Sequence, residues 1–217
     1  MRVPRSSYKI PKIPEMTIRH LSVYARCLRE LEEDGVRTIS SQDLAERFSL
    51  NSAQVRKDLA HFGEFGVRGI GYYVSDLKVE LQKILGLDRE WQVALVGFGN
   101  LGSALFNYKG FAKAGFRISA IFDEDPKKVG RSIDGVPILG LSDLPREAGG
   151  RNLQIGIIAV PAESAQTVME TLVASGIKAI LNFAPSRLKV VKDVRVKNVD
   201  LSIELETLSF YLAQGIR

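Results

Sequence analysis

The sequence predicts an α/β chain in two parts, a mostly helical N-terminal domain followed by a parallel sheet covered by helices on both faces. Up to about residue 86 the apolar residues recur at helical spacing with one Gly-rich interruption. Beyond residue 88 short β-branched runs alternate with helical segments, the mark of a parallel sheet. The composition, 45% hydrophobic and 25% charged over 217 residues, is that of globular domains and not of a disordered, collagenous or coiled-coil chain. The expected domains are 1–86, 87–199 and a C-terminal helical segment, 200–217.

Several classes are set aside at once. No apolar run approaches the ~18 residues of a membrane-spanning helix, and no apolar segment follows the basic start as a signal peptide requires. A single cysteine, Cys27, forms no internal disulfide and no metal cluster, so a cytoplasmic location is expected. On the first helix it reads as a small core residue rather than a redox sensor. The net charge of +5 is concentrated in the first 26 residues: Arg2, Arg5, Lys9, Lys12, Arg19 and Arg26 face Glu15 alone. Such an arm suits phosphates, and equally suits a solvated tail.

From Ile18 to Asp34, Leu21, Tyr24, Ala25, Leu28 and Leu31 form an apolar helical stripe, with Gly35 as its stop. Ser41 is expected to cap a short second helix that turns in Leu44, Ala45 and Phe48. Asn51 is expected to cap a third, with Gln54 at capping-box spacing. In the third helix, roughly Ser52 to His61, Val55, Leu59 and Phe62 share one stripe, and Gln54, Arg56, Lys57 and His61 occupy the opposite side. Arg and Lys suit phosphates and guanine edges and Gln suits adenine edges, although most charged helix faces are simply solvated. Next, Phe65 to Val74 reads as a hairpin with Arg68 near its tip, placed to enter a minor groove. Ser75 then caps a helix carrying Leu77, Leu81, Ile84 and Leu85. A winged helix-turn-helix is the combined expectation, ahead of a helical interaction module.

In the second part, the strand Trp91–Val96 runs into Gly97-Phe98-Gly99-Asn100-Leu101-Gly102, and a helix from Ser103 to Lys113 follows. A G-x-G-x-x-G string alone is weak, but between strand and helix it is the dinucleotide fingerprint. Gly97 permits the tight turn, Gly99 lets a pyrophosphate approach the backbone, and Gly102 lets helix and strand pack closely. A second strand, Ile118–Phe122, ends at Asp123, where a carboxylate accepts from ribose hydroxyls and repels a 2′-phosphate. This favours NAD over NADP, with Lys127 and Lys128 nearby acting the other way. Later strands, Ile155–Val160 and Ala179–Phe183, bring Val160-Pro161 and Asn182-Phe183-Ala184-Pro185 to the same edge. There Asn182 suits a carboxamide and Phe183 an apolar wall for nicotinamide, or both are ordinary strand-end residues. Leu201, Leu205, Leu208 and Leu212 mark a helix over Leu201–Ala213 with no strand of its own to cover, which suggests a homodimer.

A dehydrogenase needs a proton donor or acceptor beside the nicotinamide. Both histidines, His20 and His61, fall in the first part, and no second catalytic domain is visible. The nucleotide therefore reads as a signal rather than a reagent. Two rivals stay open, a small NAD-dependent reductase fused to a DNA-binding segment and a CoA-binding Rossmann protein.

Taken jointly, Gln54-Val55-Arg56-Lys57-Asp58-Leu59, Phe62-Gly63, Arg68-Gly69-Ile70-Gly71-Tyr72, the glycine motif, Val160-Pro161 and Asn182-Phe183-Ala184-Pro185 resemble the redox-sensing transcriptional repressors of the Rex family. The resemblance runs from about Ile10 onward. It implies a non-enzymatic bacterial homodimer that binds palindromic operator DNA when NAD⁺ predominates and leaves it when NADH binds, with a domain-swapped C-terminal helix. It also implies a switch in which an arginine, a tyrosine and an aspartate exchange partners, and these fall on Arg26, Tyr108 and Asp200. Where that family can place a phenylalanine near the partner's nicotinamide, this chain has Leu201, which preserves an apolar contact.

Overall fold

A computed structural model of the chain describes residues 13–215. The arm residues Arg2, Arg5, Lys9 and Lys12 lie outside the described residues. Two compact units divide between Arg89 and Glu90. The break falls beyond residue 86 because Gly86, at φ +68°, and Leu87, whose N–H donates to the Gln82 carbonyl at 2.8 Å, still belong to the end of a helix.

The first unit is built from α1 (Glu15–Glu33), β1 (Thr38–Ile39), α2 (Ser41–Arg47), α3 (Ser52–Ala60), β2 (Tyr72–Tyr73) and α4 (Val74–Ile84). Leu21, Leu28 and Leu31 of α1, Leu44 of α2, Val55 of α3 and Leu81 of α4 meet in one apolar core. Burying each such side chain stabilises by about 1.5–3 kcal/mol. Gly35, at φ +74°, ends α1 where the sequence places the stop.

Local details depart from expectation in three places. Ser40, not Ser41, caps α2: its Oγ accepts the Asp43 N–H at 3.0 Å and donates to Asp43 Oδ2 at 2.7 Å. Ser75 lies inside α4, which begins at Val74. The hairpin is reduced to a single bridge between Val67 and Gly71, and β2 pairs instead with β1 through Ile39↔Tyr72. A side chain at Gly71, φ +95°, would stand 2.5 Å from the Ile39 carbonyl oxygen, so the short wing is packed tightly against β1.

The second unit is a seven-stranded sheet, with β3 (Trp91–Val96), β4 (Phe116–Asp123), β5 (Ser132–Ile133), β6 (Val136–Gly140), β7 (Ile155–Ile158), β8 (Ala179–Asn182) and β9 (Arg195–Asn198). The order is β5-β6-β4-β3-β7-β8-β9, parallel throughout except for β5 against β6. Strand order reverses at β3/β7, so the carboxyl ends of β3, β4 and β7 frame a crevice. Helices α5 (Asn100–Phe106), α6 (Lys109–Lys113), α7 (Leu144–Gly150) and α8 (Ala162–Ala174) connect the strands. Along β3, Ala94 and Val96 face one core while Val93 and Leu95 face the other.

The single helix expected over Ser103–Lys113 is two helices. Asn107 Nδ2 donates to the Ser103 carbonyl at 2.8 Å, and Tyr108 is extended at φ −75°, ψ 97°. Strands β5, β6 and β9 have no counterpart in the expected elements, being short, Pro-containing or exposed. The last element, α9 (Leu201–Ala213), has the expected span. Asp200 caps it, and its apolar residues are exposed, from Leu201 at 65% to Leu212 at 80%. Among the described residues no helix is long and apolar enough to cross a membrane.

Candidate functional site

The glycine loop sits at the crevice, and its three glycines differ in what surrounds them. A Cβ on Gly97, φ +92°, would meet the Ala159 carbonyl oxygen at 2.5 Å, and one on Gly102 would meet the Gly97 oxygen at 2.0 Å. One on Gly99 would meet nothing within 4 Å. The first two are thus fixed by the protein's own backbone, whereas Gly99 opens onto space. That space consists of two adjoining hollows which share Phe98, Gly99 and Lys128. One, of about 240 Å³, is lined by Asp123, Val160 and Pro161, and the other, of about 610 Å³, by Asn100, Ser103 and Arg131. A ligand long enough to reach both must pass over Gly99 with its backbone-contacting part, as a pyrophosphate does.

Asp123 closes the inner hollow. Its Oδ2 accepts the Phe98 N–H at 2.7 Å and Lys128 Nζ at 3.1 Å, and its Oδ1 accepts the Asp125 N–H at 2.8 Å. Burial pushes its carboxyl pKa up, but the Asp125 and Phe98 N–H groups and Lys128 outweigh that and hold it below the usual carboxylate range. An ionised carboxylate has about four acceptor positions; three are filled here, and the carboxylate lines the hollow where a ribose hydroxyl would sit. The residues present fit a dinucleotide. Lys128 is the neighbour that tempers the exclusion of a 2′-phosphate, since its ammonium is paired with Asp123 itself.

At the other strand ends, Val160 and Phe183 are half-buried, Pro161 is exposed and Ala184 is buried. Asn182 requires a correction. It is 0% exposed; its Nδ2 donates to Asn198 Oδ1 at 2.9 Å and to the carbonyls of Ala184 and Ser186 at 3.2 Å, and its Oδ1 accepts the Ala184 N–H at 3.0 Å. The side chain is buried with its amide turned onto the following loop and β9, so it is not placed to meet a nicotinamide carboxamide. Leu201 begins α9 and Leu101 lies exposed at the start of α5.

In the first unit, α3 is capped as expected, the Gln54 N–H donating to Asn51 Oδ1 at 2.9 Å. Val55 and Leu59 are buried, while Arg56, Lys57 and His61 are exposed. Arg56 leans on α2, donating to Ser41 Oγ at 2.8 Å. Arg68 and Gly69 form the exposed tip of the short wing, and Tyr72 at its base is buried. Gln54 is half-buried, and its Nε2 donates to Asp58 Oδ1 at 2.9 Å. Asp58, buried and bonded to Gln54, is a polar centre that the sequence reading did not single out. Its (i, i+4) spacing from Gln54 and the polar Thr17, His20 and Tyr24 along one side of α1 were the available signal.

Of the three switch positions, Arg26 is exposed on α1. Tyr108 is 60% exposed between α5 and α6 and stacks edge-on against Phe111 at 5.1 Å. The Asp200 carboxylate accepts both the N–H and the hydroxyl of Ser202.

A dinucleotide cradle in one unit and a basic, capped recognition helix with a short wing in the other define a nucleotide-responsive DNA-binding protein. Comparison with known proteins agrees. The family model of the CoA binding domain matches residues 88–186, and a model for the N-terminus of DNA-binding proteins matches residues 12–60. The redox-sensing transcriptional repressor Rex of Syntrophomonas wolfei is 56% identical over 96% of this chain and 100% of its own length; that of Desulfitobacterium hafniense is 52% identical over 93% and 96%. The crystal structure of RSP with β-NAD⁺ and operator DNA superposes at a TM-score of 0.90, with 40% identity over 94% of each chain. RSP with β-NADH superposes at 0.84, with 38% identity over 94% of this chain and 96% of that one. This chain belongs to the Rex family of redox-sensing transcriptional repressors. It is a regulator and not an enzyme, which sets aside the reductase alternative.

Proposed function

We propose that this chain acts in the cytoplasm as a homodimer that holds a palindromic operator and lets go when NADH, rather than NAD⁺, fills the crevice of its second unit. Residues 1–86 read DNA, residues 87–199 hold the nucleotide, and 200–217 join two copies. The observation that carries this reading is the open face of Gly99 between two hollows, flanked by glycines that the protein's own backbone crowds. In support, RSP has been crystallised with β-NAD⁺ and operator DNA and with β-NADH.

Gly97, Phe98, Gly99, Asn100, Leu101 and Gly102 would hold the pyrophosphate, with Asp123 on the adenosine ribose. Val160 and Pro161, which share a hollow with Asp123, would pack on that end of the cofactor, while Phe183, with Ala184 beside it, and a second copy's Leu201 would wall the nicotinamide. When bound, the cofactor supplies a difference in charge, its nicotinamide ring being cationic when oxidised and neutral when reduced. An apolar wall excludes water from that ring and disfavours an unpaired charge. About 2.7 kcal/mol of such penalty gives a hundredfold preference for the neutral form. Gln54, Arg56, Lys57 and His61 face the major groove, while Arg68, Gly69 and Tyr72 set the wing. Arg26, Tyr108 and Asp200 exchange partners as the two copies shift. The coupling equals the difference in cofactor affinity between the two arrangements.

The test is a gel-shift titration on a palindromic duplex recovered by selection, with added NADH or NAD⁺. Release by NADH alone is expected, and equal release by both overturns the proposal. Gly99→Val, whose Cβ meets no protein atom within 4 Å, should melt as a folded protein yet no longer respond to NADH.

A further inference from the structure

Asp58 is 1% exposed, and each of its oxygens receives two donors. Oδ1 accepts from Thr17 Oγ1 at 3.0 Å and Gln54 Nε2 at 2.9 Å; Oδ2 accepts from His20 Nδ1 at 2.8 Å and Tyr24 Oη at 2.9 Å. Three of these donors come from α1 and the fourth from α3 itself. An ionised carboxylate only accepts, so the Gln54 group turned toward it is the NH₂, and the two ends of that amide are not interchangeable. One N–H is held by Asp58. What Gln54 has left is the acceptor Oε1 and one N–H, in a fixed order, on a half-buried side chain in the first turn of the recognition helix. Among the described residues neither is engaged elsewhere.

We propose that Asp58 is a positioning residue for base recognition: by holding one amide hydrogen of Gln54 it presents an acceptor–donor pair of set polarity to the major groove, matching adenine and rejecting guanine. Adenine shows the N6 amino donor beside the N7 acceptor, whereas guanine shows two acceptors, O6 and N7. A free amide can pair with adenine but can also turn its NH₂ end-on and give both N–H groups to O6 and N7 of guanine; with one N–H held by Asp58 that second presentation is lost. A clamped one sets its oxygen against O6 of guanine and its N–H against nothing new. The inference rests on the DNA-binding reading above and adds the base that one residue reads and the buried group that makes it do so.

The test measures, by fluorescence anisotropy without nucleotide, the affinity of the full chain for the palindrome that it selects from a random library. It repeats the measurement for duplexes in which each A·T pair of the half-site is changed to G·C. Wild type should show a position where the change weakens binding about tenfold or more, and Gln54→Ala should reduce that ratio to under about threefold at the same position. Asp58→Asn, whose amide both donates and accepts, should lower the ratio there while leaving the salt slope and the ratios at other positions as in wild type. An unchanged ratio in Gln54→Ala, or in a cooperatively melting Asp58→Asn, overturns the inference alone. Should Asp58→Asn not fold, the wild-type chain decides by NMR of the Gln54 side-chain amide: one of its two protons should be shifted downfield and protected from exchange by Asp58 and the other not, and two equally exposed protons overturn the inference. A wild-type chain that prefers no sequence over random DNA overturns this reading and the proposed function together.

Discussion

Asp58 in the first unit is a buried carboxylate and Asp123 in the second a half-buried one, and both are held below their usual pKa range, yet their surroundings differ. Burial raises both, and donors outweigh it in each case: Tyr24, His20, Gln54 and Thr17 at Asp58, the Asp125 and Phe98 N–H groups with Lys128 at Asp123. Asp58 has every acceptor position filled by its own chain and ties α3 to α1. Asp123 has three positions filled, lines a hollow and is tied only to neighbouring loop backbone and a half-buried lysine. A carboxylate whose acceptor positions are all filled by the fold is a fastener, whereas one with a position to spare has what the proposed nucleotide site requires.

The contrast is open to a direct break. Asp58→Ala leaves four donors around an apolar gap and should destabilise the first unit by about 3 kcal/mol or more, read as a loss of hydrogen-exchange protection in α1 and α3. Asp123→Ala should cost only about 1 kcal/mol of stability but weaken NADH binding by calorimetry about tenfold. If Asp123→Ala unfolds its unit as thoroughly as Asp58→Ala does, the distinction fails. Acid sharpens it. A depressed carboxyl contributes stability that is fully present above its unfolded value, about 3.9, and is lost as pH falls through the lower folded value. Urea midpoints should therefore decline below about pH 4, and a folded Asp58→Asn variant should flatten that decline more than Asp123→Asn does. The smallest effect belongs to an exposed charge outside both networks. Lys57→Ala should lower DNA affinity evenly across sequences and reduce the salt slope by about one.

The order of elements and the glycine loop were legible because each rests on local chemistry. The 3.6 period of Leu21, Leu28 and Leu31, the Asn51 cap and the strand–G-x-G-x-x-G–helix sequence all act within a few residues. What was not legible depended on how side chains turn once the elements pack. Thr17, His20 and Tyr24 reach Asp58 only once α1 crosses α3, so Gln54 was read as a free reader when it is a tethered one. Asn182 looked like a ligand group because its position at a strand end is visible, but its bonds to Ala184, Ser186 and Asn198 are not. The wing was over-read for a related reason. Glycines and β-branched residues signalled a hairpin, whereas Tyr72 and Tyr73 take their strand partner from Thr38–Ile39.

The bare apolar side chains of α9 carry a consequence for abundance. Leu201, Leu205, Leu208, Phe210 and Leu212 are exposed on the single chain, so under the proposed pairing through α9 the protein gains stability as its concentration rises. How many copies a cell makes therefore sets how much of this protein persists, before any nucleotide is sensed.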